Sequence, residues 1–239
     1  MLGYYYGFDL TYLVLVLPCV ILAMIASANV NSTFKRFSEV HSQRRITGAQ
    51  AAERVLTGNG VSGVRIERVS GNLTDHFDPK TNVIRLSDSV YNSTSVAAIG
   101  VACHEAGHAV QYAQHYAPIK LRAAIIPITN IGSRLAMPLI LLGLLFSFGE
   151  TVSYGFVYAG IACFALSLLF QLVTLPVEFN ASRRAMQAIA SAQLLSEEEQ
   201  KGARKTLTAA AMTYVAATAV ALAQLLRLLA LFGGRRRND

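Results

Sequence analysis

The residues best suited to chemistry are two histidines on either side of a glutamate, in His104-Glu105-Ala106-Gly107-His108. Histidines four apart lie on one face of a helix, about 6 Å apart, so both imidazoles can bind one tetrahedral zinc ion. Glu105 then points to a zinc-activated water and takes its proton as that water attacks a peptide carbonyl. A chance match is the alternative, but a charged glutamate in an apolar helix is costly unless a cation pairs with it. The spacing therefore predicts a hydrolytic zinc site.

A catalytic zinc site needs a third protein ligand and one open position, and the sequence offers two candidates. Glu178 is an isolated acid at the end of a long apolar run, where a charge otherwise has little reason to stand. His115 is two helical turns past His108, about 10 Å away, which is too far to share the metal unless the helix ends first. The alternative for Glu178 is a helix-end charge paired with Arg183, and for His115 a surface position. We favour Glu178.

The segment between the first apolar run and Lys120 has ordinary polarity and reads as a small α+β region. Ser93 to Gln114 is predicted to form a buried helix that carries the two histidines, and Thr47 to Thr57 an amphipathic helix. The alternating stretches Val64 to Val69 and Val83 to Leu86 are predicted strands, separated by the turn-rich stretch Ser70 to Thr81. The zinc helix therefore belongs to a compact region with a small sheet.

The rest of the chain is typical of a membrane protein, because 53% of the residues are apolar and the mean hydropathy is +0.41. Runs of about 20 apolar residues can span a bilayer. Four such runs occur, at Leu10 to Ala28, Ala123 to Phe148, Gly155 to Val177 and Thr206 to Phe232. We expect an α-helical membrane protein with about four transmembrane helices and a small α+β zincin-like domain that carries the zinc helix.

This gives three predicted regions: an N-terminal transmembrane helix at 1–30, a cytoplasmic zincin-like region at 31–122, and membrane helices 2 to 4 at 123–239, with the third ligand at the end of helix 3. Basic residues follow the first and third runs, which places these ends in the cytoplasm by the positive-inside tendency. Arg235, Arg236 and Arg237 conflict with this, because a fully spanning fourth helix leaves them outside.

The charge and the cysteines exclude other classes of protein. The net charge of +7 comes from Lys and Arg beside apolar runs, without an aromatic and basic nucleic-acid motif. The three cysteines are an odd number without closely spaced pairs, so a structural disulfide is not expected. We therefore predict contact with membrane lipid and no nucleic-acid partner; the sequence indicates no oligomeric state.

Several segments together resemble the neutral zinc metallopeptidases of the YugP type, which are integral membrane proteins of bacteria. They are Leu73 to Leu86, His104 to Gln114, Asn130-Ile131-Gly132-Ser133 and Glu178 to Ala185. More distantly, the two motifs resemble the HtpX and CAAX prenyl protease group, in which the glutamate of the second motif is the third zinc ligand and the site faces the cytoplasm. Those relatives carry an aspartate where this chain has Ser182. The resemblance thus implies that a hydroxyl, or Asn180, orients a histidine here.

The sequence thus predicts a zinc metalloendopeptidase of the gluzincin type that cuts membrane or membrane-proximal proteins in the bacterial plasma membrane, with a quality-control role implied by the resemblance. The alternative is an inactive, zinc-stabilised scaffold that binds membrane partners. Protein or peptide substrates could contact His76, Ile84, Tyr112 and Arg183. The strand around Ile84 could offer its edge to an extended peptide, and a purely structural role in the sheet is the alternative. For His76 and the nearby Asp78, a role in forming the turn is the alternative.

Overall fold

The computed structural model describes residues 4–5, 8–145 and 150–233, and most of them are helical. The helices are a π-helix at Tyr12–Val16, followed by α1 (Leu17–Ser38), α2 (Gly48–Gly58), α3 (Val96–Ala113), α4 (Ala117–Leu145), α5 (Glu150–Ser191) and α6 (Glu197–Phe232). The strands are β1 (Tyr4–Tyr5), β2 (Phe8–Asp9), β3 (Arg65–Val69), β4 (His76–Asp78) and β5 (Val83–Ser87). The predicted helices at Thr47 to Thr57 and Ser93 to Gln114 are confirmed as α2 and α3.

A small sheet has the strand order β3-β5-β4, with β5 parallel to β3 and antiparallel to β4. The predicted strands around residues 65 and 83 are confirmed. The stretch Ser70 to Thr81 is more than a turn, however, because it contains β4, which is too short and polar to show alternation in the sequence. The prediction that the strand around Ile84 offers a free edge is wrong: β5 pairs with β3 on one side and with β4 on the other at Val83 to Arg85. Ile84 itself is fully buried.

The chain divides into two compact units, and the one with the sheet takes in Ala26–Lys120 and Leu175–Thr213. Its apolar core joins side chains of α2, β5 and α3 to those of the last part of α5 and the first part of α6. On α5, residues four apart form the buried stripe Val177, Ala181, Ala185 and Ile189, as expected for one face of a helix. The segment after the third apolar run is therefore part of the same core as α3.

Local signals fix where α3 begins and ends. The Ser95 hydroxyl accepts a hydrogen bond from the Ala98 amide at 3.2 Å, which satisfies one of the free donors of the first turn of α3. At the other end, His115 has a φ of +56°, a left-handed conformation that stops the helix. Between these points almost every side chain is buried, as predicted.

α3 lies close to α5 at Gly107. A Cβ atom on Gly107 would lie 2.8 Å from the Ala181 carbonyl oxygen, well inside van der Waals contact. On the same helix, a Cβ on Gly100 would lie 3.4 Å from the Ala203 Cβ on α6, which is an ordinary packing distance. The first glycine is therefore required by the helix spacing, and the second is not.

The other unit contains residues up to Ile25, then Leu121–Thr174, and residues from Tyr214 onward. Its small buried cluster joins Ile140, Val157, Ile161 and Leu228, while many large apolar side chains point outward, as expected when lipid is the solvent. Asp9 accepts a hydrogen bond from the Tyr12 amide at 3.0 Å and from Arg227 Nε at 2.7 Å. This ion pair puts the start of the first apolar helix and the last turns of α6 at the same face of this unit.

Four helical segments in the described residues are long and apolar enough to cross a membrane: Tyr12–Ser38, Ala117–Leu145, Val152–Ser191 and Glu197–Phe232. They match the four predicted runs, each extended by polar turns. Residues 146–148 at the end of the second run, and Arg235 to Arg237, lie outside the described residues. An even number of crossings agrees with the ion pair between Asp9 and Arg227.

We predict that Gly107→Ala destabilises the metal-free protein, because the new methyl group forces α3 and α5 apart. Overpacking of this kind lowers the free energy of unfolding by about 1–3 kcal/mol, more than the gain in helix propensity returns. Thermal unfolding in detergent measures the effect, with Gly100→Ala as the matched control. Equal midpoints for the two variants would show that the helices do not meet closely at Gly107.

Candidate metal centre

The structure brings His104 and His108 of α3 together with Glu178 of α5. Their ligand atoms all lie within 4.8 Å of one another, and the described residues contain one such group. Glu178 Oε2 is 3.2 Å from His104 Nε2 and 3.5 Å from His108 Nε2. Both histidines thus turn the same ring nitrogen toward the same carboxylate oxygen.

The donor set fits a zinc ion. Two imidazole nitrogens and one carboxylate oxygen are the ligands of many catalytic zinc sites, in which the fourth position stays open. Glu178 is only 2% exposed and His108 8%, and a buried carboxylate is costly unless a cation pairs with it. Burial by itself lowers the pKa of His108, but the hydrogen bond to Glu178 and the charge of Glu105 outweigh it and raise the pKa. The cluster therefore favours a positive charge, whether a proton or a metal ion.

Ser182 on α5 contacts His104. Its Oγ lies 3.1 Å from His104 Nδ1, one helical turn beyond Glu178 on α5. The hydroxyl can accept the Nδ1 proton, which leaves the Nε2 lone pair directed at the metal position. Of the two groups that the resemblance implied, the hydroxyl contacts the histidine.

Gln111 contacts His108, and sequence reasoning did not identify it. The Gln111 side chain is fully buried, and its Oε1 lies 3.0 Å from His108 Nδ1. Gln111 lies one helical turn after His108, and in the sequence it looks like an ordinary polar residue on the exposed face of a helix. The signal that could have found it is burial, because an amide in the middle of an apolar face requires partners for all its polar atoms.

Glu105 lies on α3 between the two histidines and is 9% exposed. A second carboxyl group, Asp75, is half-buried just before β4 and accepts hydrogen bonds from the Ser87 amide at 2.7 Å and the Ser87 hydroxyl at 3.0 Å. Burial, together with the charge of Glu105, raises the pKa of Asp75, and the bonds from Ser87 act in the opposite direction. Sequence reasoning missed Asp75 because it stands in a turn-rich stretch without a periodic pattern.

The other predicted site residues lie apart from this cluster. His115, the rival third ligand, is exposed beyond the end of α3 and does not belong to the group of possible ligands. His76 is exposed on β4, with its Nδ1 2.8 Å from the Thr74 carbonyl oxygen. Tyr112 is half-buried with its ring edge-on to Phe77 at 5.8 Å. As substrate contacts, His76 and Tyr112 stay predictions.

Arg183 is exposed on α5, next to Ser182, and also stays a prediction as a substrate contact. Asp78 has the turn-forming role that was the alternative. Its carboxylate accepts hydrogen bonds from the Lys80 amide at 2.9 Å, the Thr81 hydroxyl at 2.7 Å and Arg85 at 3.1 Å. These bonds hold the pKa of Asp78 well below its usual range and fix the connection between β4 and β5.

Comparison with known proteins agrees with this geometry. The family model described as "Putative neutral zinc metallopeptidase" matches residues 12–233. A curated relative from Bacillus subtilis (strain 168), named "Putative membrane protease YugP", is 44% identical over 218 residues, which cover 91% of this chain and 95% of that protein. No solved structure matches the chain.

We predict that Glu178→Gln lowers the zinc affinity of the purified protein by more than about 100-fold, since changes outside the ligand shell alone cost about 10- to 100-fold. Metal analysis after dialysis against a weak chelator measures the loss. Glu198→Gln is the control, because Glu198 is an exposed α6 residue paired with Lys201. Full retention of zinc by Glu178→Gln would exclude Glu178 as a ligand.

Proposed function

Because this chain belongs to the family of neutral zinc metallopeptidases, we propose that it is a membrane-embedded zinc metalloendopeptidase of the gluzincin type, acting on membrane or membrane-proximal proteins. The observation that carries the proposal is the convergence of His104, His108 and Glu178 within 4.8 Å, with Glu105 between the two histidines on the same helix. Three protein ligands beside a glutamate are the arrangement that zinc peptidases of the H-E-x-x-H type use.

In this proposal each residue of the site has one role. His104, His108 and Glu178 would hold a zinc ion, which when bound would act as a Lewis acid that lowers the pKa of a water to about 7 and polarises a carbonyl. Glu105 acts as general base and takes the proton of the attacking water, then passes that proton to the nitrogen of the leaving amine. Ser182 and Gln111 hold the imidazoles so that each Nε2 faces the metal position.

The length of α5 supports the proposal that the substrates lie in or close to the membrane. The candidate span on this helix covers the 40 residues Val152–Ser191, about 60 Å at 1.5 Å per residue, whereas the hydrocarbon core is about 30 Å thick. If the helix enters the hydrocarbon at Val152, Glu178 lies about 10 Å beyond its far surface. A peptide bond reaching the site would therefore belong to a membrane protein or to a chain held at the membrane.

The competing function is an inactive scaffold stabilised by zinc. A structural zinc site fills all four positions with protein ligands and needs no general base. Here the described residues supply three ligands and keep Glu105 buried beside them, at a desolvation cost that a scaffold would not require. These features favour the peptidase.

We predict that Glu105→Gln keeps zinc and loses proteolysis. The amide has nearly the same shape but cannot take a proton, and the loss of a general base lowers the rate by about 10²- to 10⁴-fold. Cleavage of a fluorescently labelled unfolded protein by the purified protein in detergent measures the rate of proteolysis. Metal analysis of the same samples measures the zinc content. Unchanged cleavage would exclude Glu105 as the base, and equal cellular activity of variant and wild type would favour the scaffold.

We also propose that the protein lies in the bacterial plasma membrane with its site in the cytoplasm. Basic residues support this orientation, because Lys35, Arg36, Arg183 and Arg184 follow the first and third apolar runs, and cytoplasmic flanks are rich in Lys and Arg. Asp9 pairs with Arg227, so in this orientation the start of the first apolar helix and the last turns of α6 lie together on the outer side.

Cysteine labelling of intact cells tests this orientation. After Cys19, Cys103 and Cys163 are replaced by alanine, Lys80→Cys introduces a thiol at an exposed residue between β4 and β5. A membrane-impermeant maleimide is expected to label it only after lysis, whereas the control Val152→Cys, at an exposed residue in the first turn of α5 that this orientation places at the outer surface, is labelled in intact cells. Labelling of Lys80→Cys in intact cells would contradict the proposed orientation and place the candidate site outside the cytoplasm.

A further inference from the structure

The Gln111 side chain contacts both elements that carry the metal cluster. Its Oε1 is 3.0 Å from His108 Nδ1 on α3. Its Nε2 donates hydrogen bonds to the Val177 carbonyl oxygen and to Asn180 Oδ1 on α5, each at 2.9 Å. Val177 directly precedes Glu178, so a single amide lies between the second histidine and the helical turn of the carboxylate.

The partners of this amide fix its orientation and the tautomer of His108. Both acceptors on α5 are oxygens, and Asn180 Oδ1 also accepts Arg184 Nε at 2.7 Å, so the NH2 group of Gln111 must face α5. Its oxygen therefore faces His108, where it accepts the Nδ1 proton. The Nε2 lone pair of His108 is then left for the metal.

We propose that Gln111 is a positioning residue. It holds the His108 ring and the turn of α5 that carries Glu178 in a fixed position relative to each other, so that the metal ligands are arranged before the metal binds. This inference rests on the proposed zinc site. A primary amide suits the role because it accepts and donates at once, and the contacts use its oxygen and both of its hydrogens. A carboxylate can accept from His108 but cannot donate to Val177, and an aliphatic side chain can do neither.

Arg184 extends this contact away from the metal. Its Nη1 donates to Gln114 Oε1 at 2.6 Å, and its guanidinium lies 6.0 Å from the ring centre of Tyr116. Arg184 thereby joins Asn180 on α5 to the end of α3 and fixes the oxygen to which Gln111 donates. The chain of contacts from His108 to Arg184 contains no carboxylate, in contrast to the acidic partners that orient many metal-bound histidines.

Zinc affinity of the purified full chain in detergent tests this role. Competition with a chelator of known affinity gives the zinc dissociation constant, and unfolding midpoints with and without zinc report stability separately. We expect Gln111→Leu and Gln111→Glu each to weaken zinc binding by about 10- to 100-fold. The control is the same change at Gln200→Leu on α6, where the amide donates to the Leu195 carbonyl oxygen at 3.1 Å and is not part of the contacts from His108 to Arg184; its zinc affinity is expected to equal that of the wild type.

Each outcome decides the proposal. Wild-type affinity in Gln111→Leu overturns the positioning role, and wild-type affinity in Gln111→Glu overturns the link to α5, because the contact with His108 alone then suffices. If Gln111→Leu does not fold, Gln111→Glu has nearly the native shape and decides the same question. Absence of zinc from the wild-type protein would overturn the proposed function as well, whereas tight wild-type binding with unchanged variants overturns this inference alone.

Discussion

The structure depends on the close approach of α3 and α5 at Gly107. The Gly107 backbone lies so close to the Ala181 carbonyl that no side chain fits between them. This short distance between the helices lets Glu178 on α5 reach the two imidazoles on α3. The distances of 3.2 and 3.5 Å from Glu178 to the histidines follow from this packing. The glycine inside the motif is therefore as much a part of the site as the histidines.

Buried charge decides how the surroundings of the site are built. Glu105 and Glu178 bring two carboxylates into a largely apolar core, and Asp75 adds a third nearby. Further acids next to the histidines would add to their repulsion, and the groups found there are neutral: the Ser182 hydroxyl and the Gln111 amide. Neutral partners still fix the ring orientations, because a hydrogen bond to Nδ1 requires an acceptor and not a net charge.

Sequence reasoning found the parts of the site that have a spacing rule or an anomaly. His104 and His108 follow helical spacing, and Glu178 stands out as an acid at the end of an apolar run. It missed Gln111 and Asp75, because their roles arise from burial and from partners distant in sequence. It also missed β4, whose three residues are too few for a period to appear, and so it assigned a free edge to β5. Helices longer than ten residues were predicted well, since their apolar faces repeat several times.

Glu178 follows His104 by 74 residues, and the intervening chain includes α4 and most of α5, both candidates for membrane crossing. A ribosome adding about 5–20 residues per second takes about 4–15 s to synthesise that stretch. During this interval the nascent chain holds both imidazoles without their carboxylate. The order of synthesis thus delays completion of the candidate ligand set until α4 and most of α5 have been synthesised.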